Sequence, residues 1–124
     1  MEGRESTIQR MVKLGCEIGN HTWDHPEQTL PNMDLDSVLQ EFQKTDDALV
    51  KACGQASTVC RAPYGAITDE QISAVGKPFF MWSTDSLDWK LMDADADYNQ
   101  IMNDSSFRSM VTVILMHDIH EPIL

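Results

Sequence analysis

Gly19-Asn20-His21-Thr22-Trp23-Asp24-His25-Pro26 places two of the chain's four histidines four residues apart, directly after a short alternation, Cys16-Glu17-Ile18. The alternation reads as a brief strand, Gly19-Asn20 ends it, and Pro26 biases His25 away from helical dihedrals. The histidines therefore belong to a strand-end loop rather than a helix face. Two neutral imidazoles offered from one loop suit a borderline divalent ion, which usually wants at least one further protein ligand. On spacing alone, a pair of surface or capping histidines fits as well.

The same succession, a strand and then polar residues, recurs three times. Ser57-Thr58-Val59-Cys60 reads as a short strand that delivers Arg61-Ala62-Pro63-Tyr64-Gly65 as a loop. Pro78 to Trp82 is compact, apolar and aromatic, the pattern of a buried strand, and runs into Ser83-Thr84-Asp85-Ser86-Leu87-Asp88-Trp89. Val111-Thr112-Val113-Ile114-Leu115-Met116 is the best strand pattern, and ends on His117-Asp118-Ile119-His120.

Helical signals separate these runs. Ser6-Thr7-Ile8-Gln9 fits a capping box opening a short helix with Gly15 as its stop. From Asp34 to Ala52, Leu35, Val38, Leu39, Phe42, Leu49 and Ala52 recur at helical spacing while Gln40, Glu41, Lys44 and Asp47 point elsewhere, and Gly54 closes the helix. Thr68 with Gln71 caps a helix reaching about Val75, and Tyr98, Ile101 and Met102 mark a last one. Strands alternating with helices imply a parallel α/β sheet or barrel, with ligands outside the carboxyl ends of the strands. All four polar runs fall on that face.

A chain of 124 residues is expected to form one domain, 1–124, and its 42% apolar and 23% charged residues are those of a globular protein. A formal charge of −11 repels phosphate backbones, which argues against nucleic acid but leaves neutral carbohydrate and divalent cations as partners. Cys16, Cys53 and Cys60 form no CxxC pair and are expected to be small buried apolar groups. No apolar run approaches the ~20 residues of a membrane span, and the first residues do not read as a signal peptide.

Each run offers chemistry. Arg61 beside the stiff Pro63-Tyr64 turn sets a guanidinium next to backbone N–H groups that could face a developing oxyanion, with a loop-pinning salt bridge as the bland alternative. Asp88 is a candidate partner for Arg61, and Trp89 offers a flat face for a sugar ring. His117 is a candidate general acid oriented by Asp88 or Asp118, or else a core histidine. Asp85 and His120 read as structural.

Taken in order, His21-Thr22-Trp23-Asp24-His25, Arg61-Ala62-Pro63-Tyr64, Asp88-Trp89 and Leu115-Met116-His117 closely resemble motifs two to five of the polysaccharide deacetylase family, the NodB-homology domain of carbohydrate esterase family 4. The resemblance covers about residues 4 to 120. It implies a partial, distorted (β/α) barrel and hydrolysis of N-acetyl groups on a polysaccharide such as peptidoglycan or a chitin-like polymer. It further implies that His21 and His25 bind a divalent metal, zinc first and cobalt or another transition ion as alternatives, with Thr22 supporting their loop. Arg61 would orient the catalytic carboxylate, Asp88 would position Arg61, and the Tyr64 N–H, after Pro63, would stabilise the oxyanion. Trp89 would wall the sugar groove, Leu115 would line the acetate pocket, and His117 would protonate the leaving amine.

The family's first motif, a TFDDG-like segment supplying the general base and an aspartate metal ligand, has no counterpart here. The expectation is an incomplete domain lacking its first strands and closing element, with open sheet edges that invite self-association and weakened catalysis. The alternative is a non-catalytic carbohydrate-binding remnant. The family resemblance implies an extracellular or cell-envelope setting.

Overall fold

The longest helix, α2 (Leu35–Cys53), forms where the apolar spacing places it and is delimited chemically at both ends. The Asp34 side chain accepts the Ser37 N–H at 2.9 Å, and Gly54 closes the helix at φ 82°, a left-handed conformation that glycine adopts without steric cost. Its apolar face, Val38, Phe42, Leu49 and Ala52, is buried. In α3 (Asp69–Val75) the expected capping box forms between Thr68 and Gln71.

A computed structural model describes residues 3–104 and 111–118. It divides into two compact units, Met1–Phe80 and Met81–Leu124. In the first, β1 (Gly19–Asn20) pairs in parallel with β2 (Val59–Cys60), Gly19 opposite Val59 and Asn20 opposite Cys60. A Cβ at Gly19 would lie 3.4 Å from Val59 Cγ2, so glycine lets the two strands approach closely. Beyond β2 the Cys60 N–H donates to the Pro78 carbonyl at 2.8 Å and the Phe80 N–H to the Cys60 carbonyl at 2.9 Å, a parallel bridge at Phe79. Leu30, Val38, Phe42, Cys60 and Ala62 form the core under this sheet, and the rings of Phe42 and Phe79 meet edge to face at 5.4 Å. The helix α1 (Glu5–Lys13) packs against α2, tied by Gln9 Nε2 donating to the Ala52 carbonyl at 2.7 Å.

The second unit has its own parallel pair, β3 (Thr84–Asp85) with β4 (Ile114–Leu115). It also holds α4 (Asp88–Leu91) and α5 (Ala94–Asn103), the latter capped by Asp93 accepting the Ala96 N–H at 2.8 Å. The described strands close no barrel, as expected of a partial one. No described helix is long and apolar enough to cross a membrane.

Several elements differ from the sequence reading because ladder pairing, not local pattern, sets strand ends. The first strand lies at Gly19–Asn20, opposite Val59–Cys60, and Cys16–Ile18 is not part of it. Ser57 is drawn out of the second strand toward Asp46. Pro78–Trp82 is not a buried strand: Phe79 alone makes a bridge, and Phe80 and Met81 are 50% and 45% exposed. The pairing segment is Thr84–Asp85 instead. Val111–Met116 shortens to Ile114–Leu115, both only partly buried. The helix α1 starts after Arg4 without the Ser6-Gln9 box, and α4 had no sequence signal. Of the cysteines only Cys60 is buried, and burial, with Asp46 nearby, pushes its thiol up to about 11 although Lys77 and Ser57 act the other way.

Candidate functional site

In the first unit, the pairing that joins β1 to β2 continues one residue past the strands and brings two of the polar runs side by side. The Arg61 N–H donates to the Asn20 carbonyl at 2.9 Å, and His21 Nδ1 bonds the Arg61 carbonyl at 2.8 Å. A carbonyl only accepts, so Nδ1 carries the proton and Nε2 bears the ring's lone pair. That is the arrangement by which a backbone carbonyl orients a metal-ligating imidazole.

The His25 ring meets His21 edge-on at 5.1 Å between centroids and Tyr64 at 4.7 Å. Both imidazoles are exposed. Tyr64 stands at φ 57° in the one-turn 3-10 helix Pro63–Gly65, with Pro63 buried beneath it. None of the described backbone hydrogen bonds uses the Tyr64 N–H. Arg61 Nε donates to the Phe80 carbonyl at 3.3 Å.

The histidine loop is strained and braced. Thr22 at φ 67° and His25 at φ 52° lie in the left-handed region, which costs a non-glycine residue of order 1–3 kcal/mol. Three consecutive loop N–H groups find side-chain acceptors: Thr22 to Asn20 Oδ1 at 3.0 Å, then Trp23 and Asp24 to Glu41 Oε2 at 3.0 and 3.2 Å. Asn20 in turn donates through Nδ2 to the Phe42 carbonyl at 2.8 Å and to Asp46 Oδ1 at 3.0 Å. Asp46 also accepts from the Ser57 hydroxyl at 2.6 Å and from Lys77 Nζ. Burial pushes the Asp46 carboxyl up, but Lys77, Ser57 and Asn20 outweigh it and hold the group below its ordinary value. The Thr22 hydroxyl is buried without a hydrogen-bond partner among the described residues, and its N–H is the group of Thr22 that is bonded within the loop.

Among the described residues no three His, Cys, Asp or Glu side chains converge as a metal site. The donor chemistry of His21 and His25 suits a borderline divalent ion, as two ligands of a larger set.

In the second unit Asp88 is fully buried and accepts the Trp89 N–H at 2.8 Å, the His117 N–H, and His117 Nδ1 at 2.8 Å. Burial raises its carboxyl, yet the His117 side chain and the His117 and Trp89 N–H groups together hold it below its ordinary value. Of the two carboxylates weighed for His117, Asp88 is the one bonded to it, and Asp118 is exposed. Asp88 thus accepts the proton that His117 carries on Nδ1 and leaves Nε2 as the second ring position.

Trp89 is 54% exposed and Leu115 partly buried on β4. Asp85 accepts the Leu87 N–H at 2.9 Å, a structural turn, and His120 lies outside the described residues. His21, Arg61, Asp88 and His117 all stand just beyond the carboxyl ends of parallel strands, two in each unit.

Sequence reasoning missed Glu41, Asn20 and Asp46. Glu41 is buried and does not point away from the protein as its helical position suggested. The only available signal was Asn20's place next to His21, since Glu41 and Asp46 bond the histidine segment from 17 to 26 residues away along the chain.

With this geometry in view, comparison with known proteins matches residues 1–77 to the family described as polysaccharide deacetylase. The chain belongs to the polysaccharide deacetylase family. A peptidoglycan-N-acetylglucosamine deacetylase of Listeria monocytogenes is 31% identical over 114 residues, covering 92% of this chain and 23% of that protein. The structure of a peptidoglycan deacetylase from Bacillus subtilis superposes with a TM-score of 0.86 at 32% identity, covering 96% of this chain and 56% of that one. A family 4 carbohydrate esterase from Streptomyces lividans gives a TM-score of 0.80 at 26% identity, covering 96% and 60%. The fold is that of these α/β deacetylases, and the chain spans about a quarter of the length of its Listeria relative.

Proposed function

We propose that this chain carries active-site residues of a metal-dependent N-deacetylase acting on an N-acetylated polysaccharide, peptidoglycan or a chitin-like polymer. The observation that carries the reading is the His21 Nδ1–Arg61 carbonyl hydrogen bond, which sets the tautomer a ligating imidazole needs beside a second imidazole. His21 and His25 would hold the ion, zinc first and cobalt or another transition metal as alternatives. A bound ion of this kind polarises an amide carbonyl and lowers the pKa of water.

The remaining work falls to the chain's own groups. In the first unit the Tyr64 N–H, presented by the rigid Pro63 turn, donates to the oxygen that becomes negative when water adds to the acetamido carbon. Arg61 is held by its backbone next to His21 and serves to orient the carboxylate base, which lies outside the matched motifs. In the second unit His117 gives a proton to the amine as the C–N bond breaks, and Asp88 stabilises the imidazolium that has to form first. Trp89 offers its exposed indole to a sugar ring, and Leu115 is an apolar contact for the acetyl methyl.

Acetate release from N-acetylated chitooligosaccharides with Zn²⁺ or Co²⁺ tests this, run on the chain and on a version extended by a first strand bearing a TFDDG-like segment. Release by the extended version that chelation abolishes is expected, and no release by either refutes it. A second reading, a non-catalytic carbohydrate-binding module, is favoured by the absence of a third ligand among the described residues. Glycan binding that survives chelation and His117→Ala would establish that reading instead.

A further inference from the structure

We infer that Glu41 of α2 is a positioning residue for the histidine loop, its one carboxylate oxygen holding the turn that sets His21 and His25 edge to edge. Oε2 accepts the N–H of Trp23 at 3.0 Å and of Asp24 at 3.2 Å, so one atom fixes two successive peptide planes. These planes lie between Thr22 and His25, the two left-handed residues of the loop. With the Thr22 N–H taken by Asn20, all three consecutive loop N–H groups have side-chain acceptors, and two of them share the single Glu41 oxygen. Glu41 is itself buried on a regular helix.

Geometry, rather than charge alone, is what the role demands. Trp23 and Asp24 are next to one another in the chain, and only an acceptor at one place reaches both N–H groups. A glutamine keeps the reach and one acceptor oxygen. An aspartate keeps the charge but is one methylene shorter and withdraws the oxygen from the loop. Both are mild changes on a helix whose apolar face is untouched.

The test compares wild type, Glu41→Gln and Glu41→Asp by amide hydrogen exchange in metal-free protein and by Co²⁺ titration read from the cobalt visible spectrum, with urea unfolding as the control for global stability. The exchange arm is independent of the metal reading, and the cobalt arm rests on it. In Glu41→Asp the Trp23 and Asp24 amides should exchange at least about tenfold faster, and Co²⁺ affinity should fall about 10- to 100-fold, the usual range for losing a group that orients a ligand. In Glu41→Gln both should stay within a few-fold of wild type. Unchanged exchange at both amides in Glu41→Asp overturns the inference, as does an exchange increase spread evenly over the whole unit. If wild type takes up no Co²⁺, the metal reading falls while the two amides still decide the role of Glu41.

Discussion

Replacing Asn20 by alanine should be among the most damaging single changes in the first unit, although Asn20 is neither apolar nor in a helix. Its side chain is 1% exposed and makes three hydrogen bonds, to the Phe42 carbonyl, to Asp46 and from the Thr22 N–H. Two neutral bonds at about 0.5–1.5 kcal/mol and one to a charged group at about 1.5–3 kcal/mol sum to about 2.5–6 kcal/mol. Against a typical domain stability of about 5–15 kcal/mol, that is a large fraction. Urea unfolding measures the loss, and hydrogen exchange at Thr22 localises it.

Asn20→Asp adds a check on the sign. It keeps the acceptor for Thr22 but forfeits both donated bonds and sets a second carboxylate beside Asp46. The variant should be at least as unstable as Asn20→Ala at pH 7 and recover in part as pH falls through the carboxylate range. Wild type moves the other way there, because Asp46, held below its ordinary value, loses its contribution on protonation. An Asn20→Ala variant within about 0.5 kcal/mol of wild type would refute the reasoning.

Further outcomes follow from the same geometry. Asp88 is also held below its ordinary value, so its contribution is complete above the unfolded carboxylate pKa of about 3.9 and is lost as pH falls through the lowered midpoint; acid unfolding followed by Trp89 fluorescence should flatten in Asp88→Asn. Asp97 is the opposite case: burial, then the charges of Asp88 and Asp93, raise its carboxyl, and both its oxygens lack a hydrogen-bond partner among the described residues. Its penalty is absent below the unfolded carboxylate pKa and fully present above the raised one, so Asp97→Asn should raise the urea midpoint at pH 7 with little change at pH 3. Thr68→Ala breaks the capping box of α3 and should cost about 1 kcal/mol by urea unfolding, with Thr68→Ser restoring most of it.

The parts of this fold legible in the sequence are those that local chemistry decides. The helix α2 announces itself through Asp34, an apolar stripe and Gly54, and α3 through Thr68 and Gln71, because a cap and its partner are three residues apart. The second and fourth strands were legible as to place but not extent, whereas the first and third pair downstream of the patterns that suggested them. A two-residue ladder is set by its partner, as Gly19–Asn20 is by Val59–Cys60, and the apolar run at Pro78–Trp82 could not reveal that Phe80 and Met81 face outward. The family was legible because the order of its motifs along the chain is specific. The residues that brace them were not: Glu41 has the helical position of a solvated acid, and only tertiary packing turns it onto the Trp23 and Asp24 amides.

The central claim is that the fold presents His21, tautomer fixed by Arg61, together with His25 as ligands for a divalent ion. Imidazole ¹⁵N spectra recorded during a Zn²⁺ titration test it most directly, because they report each ring nitrogen separately. The expected result is a saturable shift of His21 Nε2 and of one His25 ring nitrogen, with the proton on His21 Nδ1 retained throughout. No saturable shift at either ring, or loss of the His21 Nδ1 proton on binding, would contradict it.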